Sequence, residues 1–153
     1  MSTPSVMPEF PPCPAHQLSL VVPLYNEQDN VSPLLARVHE VLGPYPHPWE
    51  IVLVDDGSRD GTVAALKSAR QQWGEHVRVV ELATNFKQTA AMQAGIDAAR
   101  GTVIATLDGD LQNDPIDIPR MVARLLNEDL DLVAGWRKNR QDGWLMRKLP
   151  SRI

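Results

Sequence analysis

The chain has 153 residues, of which 43% are apolar and 22% are charged, a composition that fits one domain with a hydrophobic core and excludes a second full domain. Its single cysteine, Cys13, excludes an internal disulfide and makes a reducing compartment the default expectation. The sequence contains no run of about 18 apolar residues and no signal-type start, so we expect neither a membrane span nor a signal peptide in this chain.

The net charge of -4 conceals a marked asymmetry along the chain. Residues 137–153 carry six basic side chains and one acidic one, a charge of +5, whereas residues 1–136 carry a charge of -9. The two parts should therefore face different partners. We expect anionic groups to bind at the C-terminal end.

The first predicted segment is an extended leader, residues 1–17. Its prolines cannot maintain a helix or a central strand, and they stand at Pro4, Pro8, Pro11, Pro12 and Pro14. The domain proper is expected to occupy residues 18–153.

From Leu18 onward, apolar strands alternate with helical segments of about three turns. The predicted strands are 18–22, 50–54, 77–82, 102–107 and 130–134, and the predicted helices are about 30–42, 60–73, 88–99 and 116–127. Strands that are apolar on both faces and separated by helices are typical of a parallel sheet covered on both sides. The sequence therefore predicts an α/β fold.

Ligands of such sheets bind at the carboxyl ends of the strands, so the segments that follow the strands should converge on one edge. These segments are 23–27, 55–58, 84–88, 108–112 and 135–137. Asp-Gly-Ser and Asp-Gly-Asp are common turn sequences, and either one alone would be explained as a turn. Polar groups at several neighbouring strand ends instead favour a binding site.

Asp108 and Asp110 are two residues apart, so their side chains share a face at an extended strand end. Together they can ligate one Mg²⁺ or Mn²⁺ ion, and Gln112 can add a neutral ligand. Asp114, not Asp110, is the expected cap of the helix that begins near Ile116. A divalent metal at this edge is the prediction.

The adjacent carboxylates Asp55 and Asp56 point to opposite sides of the chain, so at most one is expected to meet the ligand directly. The other is expected to hold the turn.

Three motifs occur in a diagnostic order: VPLYNE at 22–27, VDDGSRDGT at 54–62 and LDGDLQ at 107–112. With them the chain resembles glycosyltransferase family 2. The segments NF at 85–86, AAMQAG at 90–95, GWR at 135–137 and RKLPSR at 147–152 make it similar to the branch with dolichyl-phosphate mannosyltransferase and bacterial polyprenyl-phosphate glycosyltransferases. The resemblance covers nearly everything after Leu18.

This resemblance implies a GT-A (Rossmann-like) fold with a mostly parallel sheet, and a UDP- or GDP-sugar donor. It also implies Mg²⁺ or Mn²⁺ as the cofactor and a polyprenyl (dolichyl or undecaprenyl) phosphate acceptor at the cytoplasmic face of the membrane. The family's catalytic domain continues further than Ile153, so the domain at 18–153 is expected to be incomplete.

Residue roles follow from the same resemblance, position by position. The expected donor-binding residues are Pro23, Tyr25, Asn26, Glu27, Asp55, Asp56, Gly57, Lys87 and Asp108. The expected metal ligands are Asp108, Asp110 and Gln112, and the expected catalytic residues are Asp108, Asp110 and Arg137. Arg137, Arg147 and Ser151 match positions that bind the acceptor phosphate.

Independently of the family, Arg147 and Ser151 are four residues apart and would share a helix face suited to a phosphate. A solvated basic surface, or one that attracts anionic lipid, is an equal alternative.

The chain departs from the family pattern after the third strand, where the family usually has Arg-Asn-Phe-Gly. Thr84 replaces the arginine and Lys87 replaces the glycine. Lys87 either pairs with the donor phosphates or hinders the loop, and both interpretations stay open. Gly109 stands where alanine is more common, a change expected to be mild.

The function predicted from these observations is metal-dependent, inverting transfer of a sugar to a polyprenyl phosphate. The alternatives are a family 2 enzyme with a saccharide acceptor and a noncatalytic donor-binding module. A phosphoacceptor receiver domain is disfavoured because its acid pair would follow the first strand. A dinucleotide-binding oxidoreductase is disfavoured because no Gly-x-Gly-x-x-Gly motif follows the first predicted strand. Nucleic-acid binding is disfavoured because residues 1–136 are strongly acidic. The sequence leaves the oligomeric state open.

Overall fold

The computed structural model describes residues 7–135, which form a four-stranded sheet and four α-helices. The strands are β1 (Leu18–Leu24), β2 (Trp49–Asp55), β3 (Val77–Glu81) and β4 (Val103–Thr106). The helices are α1 (Val31–Leu42), α2 (Thr62–Trp73), α3 (Gln88–Ala98) and α4 (Ile118–Asn127), the last preceded by a 3-10 turn, Pro115–Asp117.

All strands of the sheet are parallel, and their order is β3-β2-β1-β4. In chain order, β2 and β3 are added on one side of β1, and β4 is then added on the other side of β1. This reversal creates a crevice between the carboxyl ends of β1 and β4, the position at which open α/β sheets bind ligands.

Two apolar layers sandwich the sheet, because alternate strand residues point to opposite faces. On one face, Leu20, Val22 and Leu53 pack with α1, α2 and α4. On the other face, Val21, Val52 and Val54 pack against Ala91 of α3. The predicted α/β fold with helices on both faces is confirmed.

Pro23 lies inside the central strand β1, a position that would normally lose a ladder hydrogen bond. The amide of Leu107 donates to the Val21 oxygen, and strand alternation turns Pro23 toward the same neighbour, β4. The pairing with β4 ends at Val21. The lack of an N–H at Pro23 therefore costs no hydrogen bond between strands.

The predicted fifth strand, residues 130–134, is wrong: these residues form no strand in the structure. The chain turns at Asp129, which has a φ of 51°, and the Leu130 amide donates to the Leu125 oxygen to close the end of α4. Leu132 is 69% exposed, so this apolar side chain of the alternating segment does not pack against the core. Alternation makes a strand only where a neighbouring edge and a core accept it.

Residues 7–17 contain no regular secondary structure, yet they contact the body of the domain. The ring of Phe10 meets that of Tyr45 edge to face, and Asn127 donates a hydrogen bond to the Pro12 oxygen. Across the described range, 7–135, none of the helices is both long enough and apolar enough to cross a bilayer.

A pair of histidines should make stability depend on pH. His39 stacks on Trp73 with ring centroids 3.9 Å apart, and its Nε2 lies 2.7 Å from Nε2 of His76. Burial lowers the pKa of both imidazoles from its usual value near 6.5. The unfolded chain therefore takes up protons first, and the free energy of unfolding should fall as the pH drops below about 6.5.

Urea unfolding at a series of pH values between about 7 and 5 measures this effect. In a His76→Gln variant the decline should be shallower, because one of the two neutral imidazoles is gone. Parallel curves for the two proteins would contradict the assignment.

Candidate functional site

A cavity of about 320 Å³ opens at the carboxyl ends of β1, β2 and β4. It is lined by Pro23, Leu24, Tyr25, Glu27, Asp56, Asn85, Lys87, Gln88, Asp108, Gly109 and Asp110. Seven of these are residues that the sequence marked for the site, namely Pro23, Tyr25, Glu27, Asp56, Lys87, Asp108 and Asp110. Side chains far apart in sequence thus meet in one cleft, as the parallel sheet predicts.

Asp108 and Asp110 lie on the wall of this cavity, on either side of Gly109. Asp108 is held on both carboxylate oxygens: Oδ1 accepts from Nε2 of Gln88 at 3.0 Å and Oδ2 from Nδ2 of Asn113 at 3.3 Å. Oδ1 of Asp110 accepts from the Gln112 amide at 3.0 Å. These bonds fix the orientation of both carboxylates.

The pair fits a Mg²⁺ or Mn²⁺ ion, because such ions take hard oxygen ligands and usually only one or two protein carboxylates, with phosphate oxygens and water in the other positions. The side chain of Gln112 does not line the cavity; its backbone N–H orients Asp110 instead. Its role as a metal ligand stays a prediction.

The adjacent acids Asp55 and Asp56 are both buried, and their carboxylates accept hydrogen bonds from different segments. Oδ2 of Asp55 accepts from the Ser58 amide at 3.1 Å and so holds the turn after β2. Asp56 lines the cavity, and its Oδ1 accepts from the Phe86 amide at 2.8 Å. Direct ligand contact by either residue stays a prediction.

Among the described residues, two buried acceptor atoms in the segments at the ends of β2 and β3 have no hydrogen-bond partner: Oδ1 of Asp55 and Oδ1 of the cavity-lining Asn85. Buried polar atoms are almost always paired, and an unpaired one needs an explanation. A ligand that brings N–H or O–H donors would satisfy them.

Gly57 brings the β2 turn against the segment after β3. Its φ is 72°, and a Cβ at this position would lie 2.4 Å from the Thr84 carbonyl carbon and 2.5 Å from the Asn85 nitrogen. Only glycine fits this contact, because the backbone itself occupies the space.

The loop after β1 is tied to the turn after β2 by reciprocal bonds. The Asn26 amide donates to Oγ of Ser58 at 2.9 Å, and Oδ1 of Asn26 accepts from the Arg59 amide at 2.9 Å. The Glu27 amide donates to Oγ1 of Thr62 at 2.9 Å. Asn26 therefore holds the loop shape, while Tyr25 and Glu27 line the cavity.

Lys87 lines the cavity with a backbone that favours glycine, at φ 76° and ψ 165°. This matches the glycine expected there by the family pattern. A non-glycine residue in this region is strained by about 1–3 kcal/mol, and such strain concentrates at functional sites. Lys87 is the only basic side chain among the residues that line the described cavity.

Four lining residues belong to segments that the sequence placed at this edge but had no predicted role in the site: Leu24, Asn85, Gln88 and Gly109. The positions of Asn85 and Gln88 just after β3 put them on the predicted edge, but sequence gave no sign that Gln88 would bond Asp108. Gly109 packs so closely that a Cβ would lie 2.5 Å from Cδ2 of Leu24.

Asp114 caps the 3-10 turn as predicted, since its Oδ1 accepts from the Ile116 amide at 3.0 Å. The predicted acceptor-phosphate residues Arg137, Arg147 and Ser151 lie outside the described residues.

Curated relatives share most of this chain. A dodecaprenyl-phosphate galacturonate synthase from Rhizobium johnstonii is 56% identical over 140 residues, which are 92% of this chain and 41% of the relative. An undecaprenyl-phosphate 4-deoxy-4-formamido-L-arabinose transferase from Pseudomonas fluorescens is 44% identical over 93% of this chain and 41% of its own length. The chain thus spans about two fifths of these relatives.

Solved structures share the fold. The mannosyltransferase PcManGT from Pyrobaculum calidifontis, solved with GDP-Man and Mn²⁺, matches with a TM-score of 0.62 at 22% identity, over 79% of this chain and 35% of that one. S. aureus TarS, solved with UDP-GlcNAc, matches with a TM-score of 0.57 at 25% identity, over 73% and 31%. The architecture is therefore GT-A-like.

The family model described as glycosyl transferase family 2 matches residues 19–153, which include β2, β3, β4, all of β1 except Leu18, and every residue that lines the cavity. The chain belongs to glycosyl transferase family 2.

Proposed function

We propose that this protein transfers a sugar from a nucleotide-diphosphate-sugar to a polyprenyl phosphate, with a divalent metal and with inversion at the anomeric carbon. The observation that carries the proposal is a cavity at the β1/β4 crevice, whose wall combines Asp108 and Asp110 with Asp56 and Asn85 from the segments after β2 and β3. The two polyprenyl-phosphate relatives support the acceptor class.

The donor nucleotide is assigned to the β1–β2 side of the cavity. The unpaired Oδ1 atoms of Asp55 and Asn85 are suited to accept hydrogen bonds from a base or a ribose. Tyr25, 44% exposed on the cavity wall, offers a ring against which a base can stack. The nucleotide is a uridine or guanosine diphosphate, and the sugar is a hexose or a related pentose.

Asp108 and Asp110 would hold Mg²⁺ or Mn²⁺ against the donor diphosphate. The bound ion supplies neutralisation of the negative charge on the departing nucleoside diphosphate. Gln88 and Asn113 keep the Asp108 carboxylate in place for this role. Their amides act as positioning groups, since they bond the carboxylate itself.

In the reaction, an oxygen of the lipid phosphate forms a bond to the anomeric carbon while the bond to the nucleoside diphosphate breaks on the opposite face. A phosphate acceptor is already ionised near neutral pH, so the chain needs no general base. Arg137, Arg147 and Ser151 are proposed to bind that phosphate. The lipid acceptor would bring the protein to the cytoplasmic face of a membrane.

A saccharide acceptor is the second candidate, because family 2 membership alone does not fix the acceptor. Incubation of the protein with a labelled donor and either undecaprenyl phosphate or an oligosaccharide separates the two. A product that extracts into organic solvent supports the lipid acceptor, and a product that stays in water overturns it.

Calorimetric titration tests donor binding by the 153-residue chain directly. UDP-galacturonate, UDP-GlcNAc and GDP-mannose are compared with and without Mn²⁺. We expect one of them to bind in a Mn²⁺-dependent way. If none binds under either condition, the donor-site assignment fails.

Lys87 is proposed to pair with an anionic oxygen of the donor. Lys87→Met removes the charge and should weaken donor binding about 10- to 100-fold, since a hydrogen bond to a charged group contributes about 1.5–3 kcal/mol. Lys87→Gly should weaken binding equally but raise the free energy of unfolding by about 1 kcal/mol, because it relieves the positive-φ backbone at φ 76° and ψ 165°.

Two donors distinguish the oxygen involved. If Lys87 binds the diphosphate, both variants lose affinity for UDP-galacturonate and UDP-galactose alike. If it binds a sugar carboxylate, the loss is confined to the uronate donor. Unchanged affinity for both donors would contradict a binding role.

A further inference from the structure

Three metal-ligating side chains meet at the edge of the sheet opposite the cavity. Cys13 and His16 precede β1, and His47 precedes β2, so all three lie at the amino ends of parallel strands. One ligand atom of each side chain lies within 4.8 Å of the other two. We refer to Cys13, His16 and His47 as the Cys-His-His cluster.

The spacing within the cluster suits a tetrahedral metal. Sγ of Cys13 lies 3.8 Å from Nε2 of His47. With Zn–S near 2.3 Å and Zn–N near 2.0–2.1 Å, two such ligands of one zinc ion stand about 3.5 Å apart. The His16 and His47 rings have centroids 4.2 Å apart, and all three side chains are partly buried. Closing the Cys13–His47 pair on an ion requires a shift of only about 0.3 Å.

The tautomer of His16 is set in the way that metal-bound histidines require. Its Nδ1 donates to the Pro14 oxygen at 2.9 Å, which leaves the lone pair on Nε2. Metal-ligating histidines almost always donate their other ring N–H to such a partner. The Tyr45 hydroxyl donates to Nε2 at 2.6 Å and must give way, or remain as a neighbour, when a metal binds.

Prolines restrict the backbone on both sides of the cluster. Pro12 and Pro14 flank Cys13, and Pro46 and Pro48 flank His47. Each proline fixes its φ near -65°, so less backbone freedom is lost when the ligands are brought together. The edge contact of Phe10 with Tyr45 further holds the N-terminal segment on the loop between α1 and β2.

We propose that Cys13, His16 and His47 bind Zn²⁺, with water in the fourth position, and that the ion ties the N-terminal segment to the loop between α1 and β2. One thiolate and two imidazoles select zinc over Mg²⁺ and Mn²⁺, which prefer oxygen. This site is therefore chemically distinct from the Asp108 and Asp110 pair.

Zinc competition against a chelating dye, with the 153-residue chain stripped of metal beforehand, measures the affinity. We expect one zinc ion per chain at this site. Cys13→Ser and His47→Gln should each weaken binding about 100-fold or more, since even the loss of a supporting group around a metal costs 10- to 100-fold. Asp110→Asn is the matched control and should leave this affinity unchanged, because Asp110 lies at the other end of the strands.

Co²⁺ in place of zinc reports the ligands directly, through the thiolate-to-cobalt absorption in the near ultraviolet. The band should appear in the wild type and in Asp110→Asn and be absent in Cys13→Ser. Tyr45→Phe removes the hydrogen bond that competes for Nε2 of His16, so it should bind zinc at least as tightly as the wild type. Circular dichroism of each variant shows that it is folded.

Thermal unfolding gives an independent readout. Zinc in about 100-fold excess over its dissociation constant should raise the Tm of the wild type by about 5 °C or more and leave that of Cys13→Ser unchanged. The proposal is overturned if Co²⁺ binds without the thiolate band, or if Cys13→Ser retains the wild-type affinity for zinc.

Discussion

We expect Asp110→Asn to lower Mn²⁺-dependent binding of the nucleotide-sugar donor by about 100-fold, equivalent to about 2.7 kcal/mol. The amide keeps the shape of the side chain but removes one of the two negative charges on the cavity wall that are proposed to hold the ion. Donor binding without metal should change little, because the buried acceptors after β2 and β3 are untouched. Calorimetric titration with and without Mn²⁺ measures both quantities.

Asp131→Asn is the matched control for this experiment. Asp131 is an exposed acid outside the cavity, and its replacement changes the net charge equally. It should leave the Mn²⁺ dependence intact. If Asp110→Asn binds donor and Mn²⁺ as tightly as the wild type, the assignment of Asp110 as a metal ligand is wrong.

The second large effect is on stability. Gly57→Ala should lower the free energy of unfolding by about 2–4 kcal/mol. About 1–2 kcal/mol comes from placing a Cβ on a left-handed backbone, and the rest from pushing that Cβ against the Thr84 and Asn85 backbone. Because Asn85 and its neighbour Lys87 line the cavity, donor binding should weaken as well. Urea unfolding followed by circular dichroism measures the stability change.

Gly61→Ala provides the comparison. It lies in the same turn region with an ordinary φ of -81°, and its Cβ would meet only the end of the flexible Gln28 side chain. We expect a loss below about 1 kcal/mol. Equal losses for Gly57→Ala and Gly61→Ala would mean that the close approach at Gly57 does not constrain the fold.

The buried acids Asp55 and Asp56 show how far local sequence alone could predict the site. Position alone predicted that Asp55 and Asp56 would diverge at the end of β2. Which one faces the cavity depends on the segment after β3, since Asp56 bonds the Phe86 amide 30 residues away.

Glu50 shows the same limit at the opposite edge of the sheet, where sequence marked only the start of a strand. It is 5% exposed and accepts bonds from Ser19, Arg78 and the Arg100 amide. Burial raises the pKa of this carboxyl, but these hydrogen bonds outweigh it and hold the pKa below its usual value.

The local pattern of residues was enough to predict the alternation of strands and helices, and with it the edge at which Asp108 and Asp110 meet the loop after β1. Those features depend on apolar periodicity and on spacing within a few residues, which the chain carries locally. Three features could be seen only in the folded domain: residues 130–134 are not a strand, Gln88 bonds Asp108, and Cys13 lies beside His47. Each of these outcomes depends on which distant segment supplies a partner, and that choice is made by packing of the whole domain.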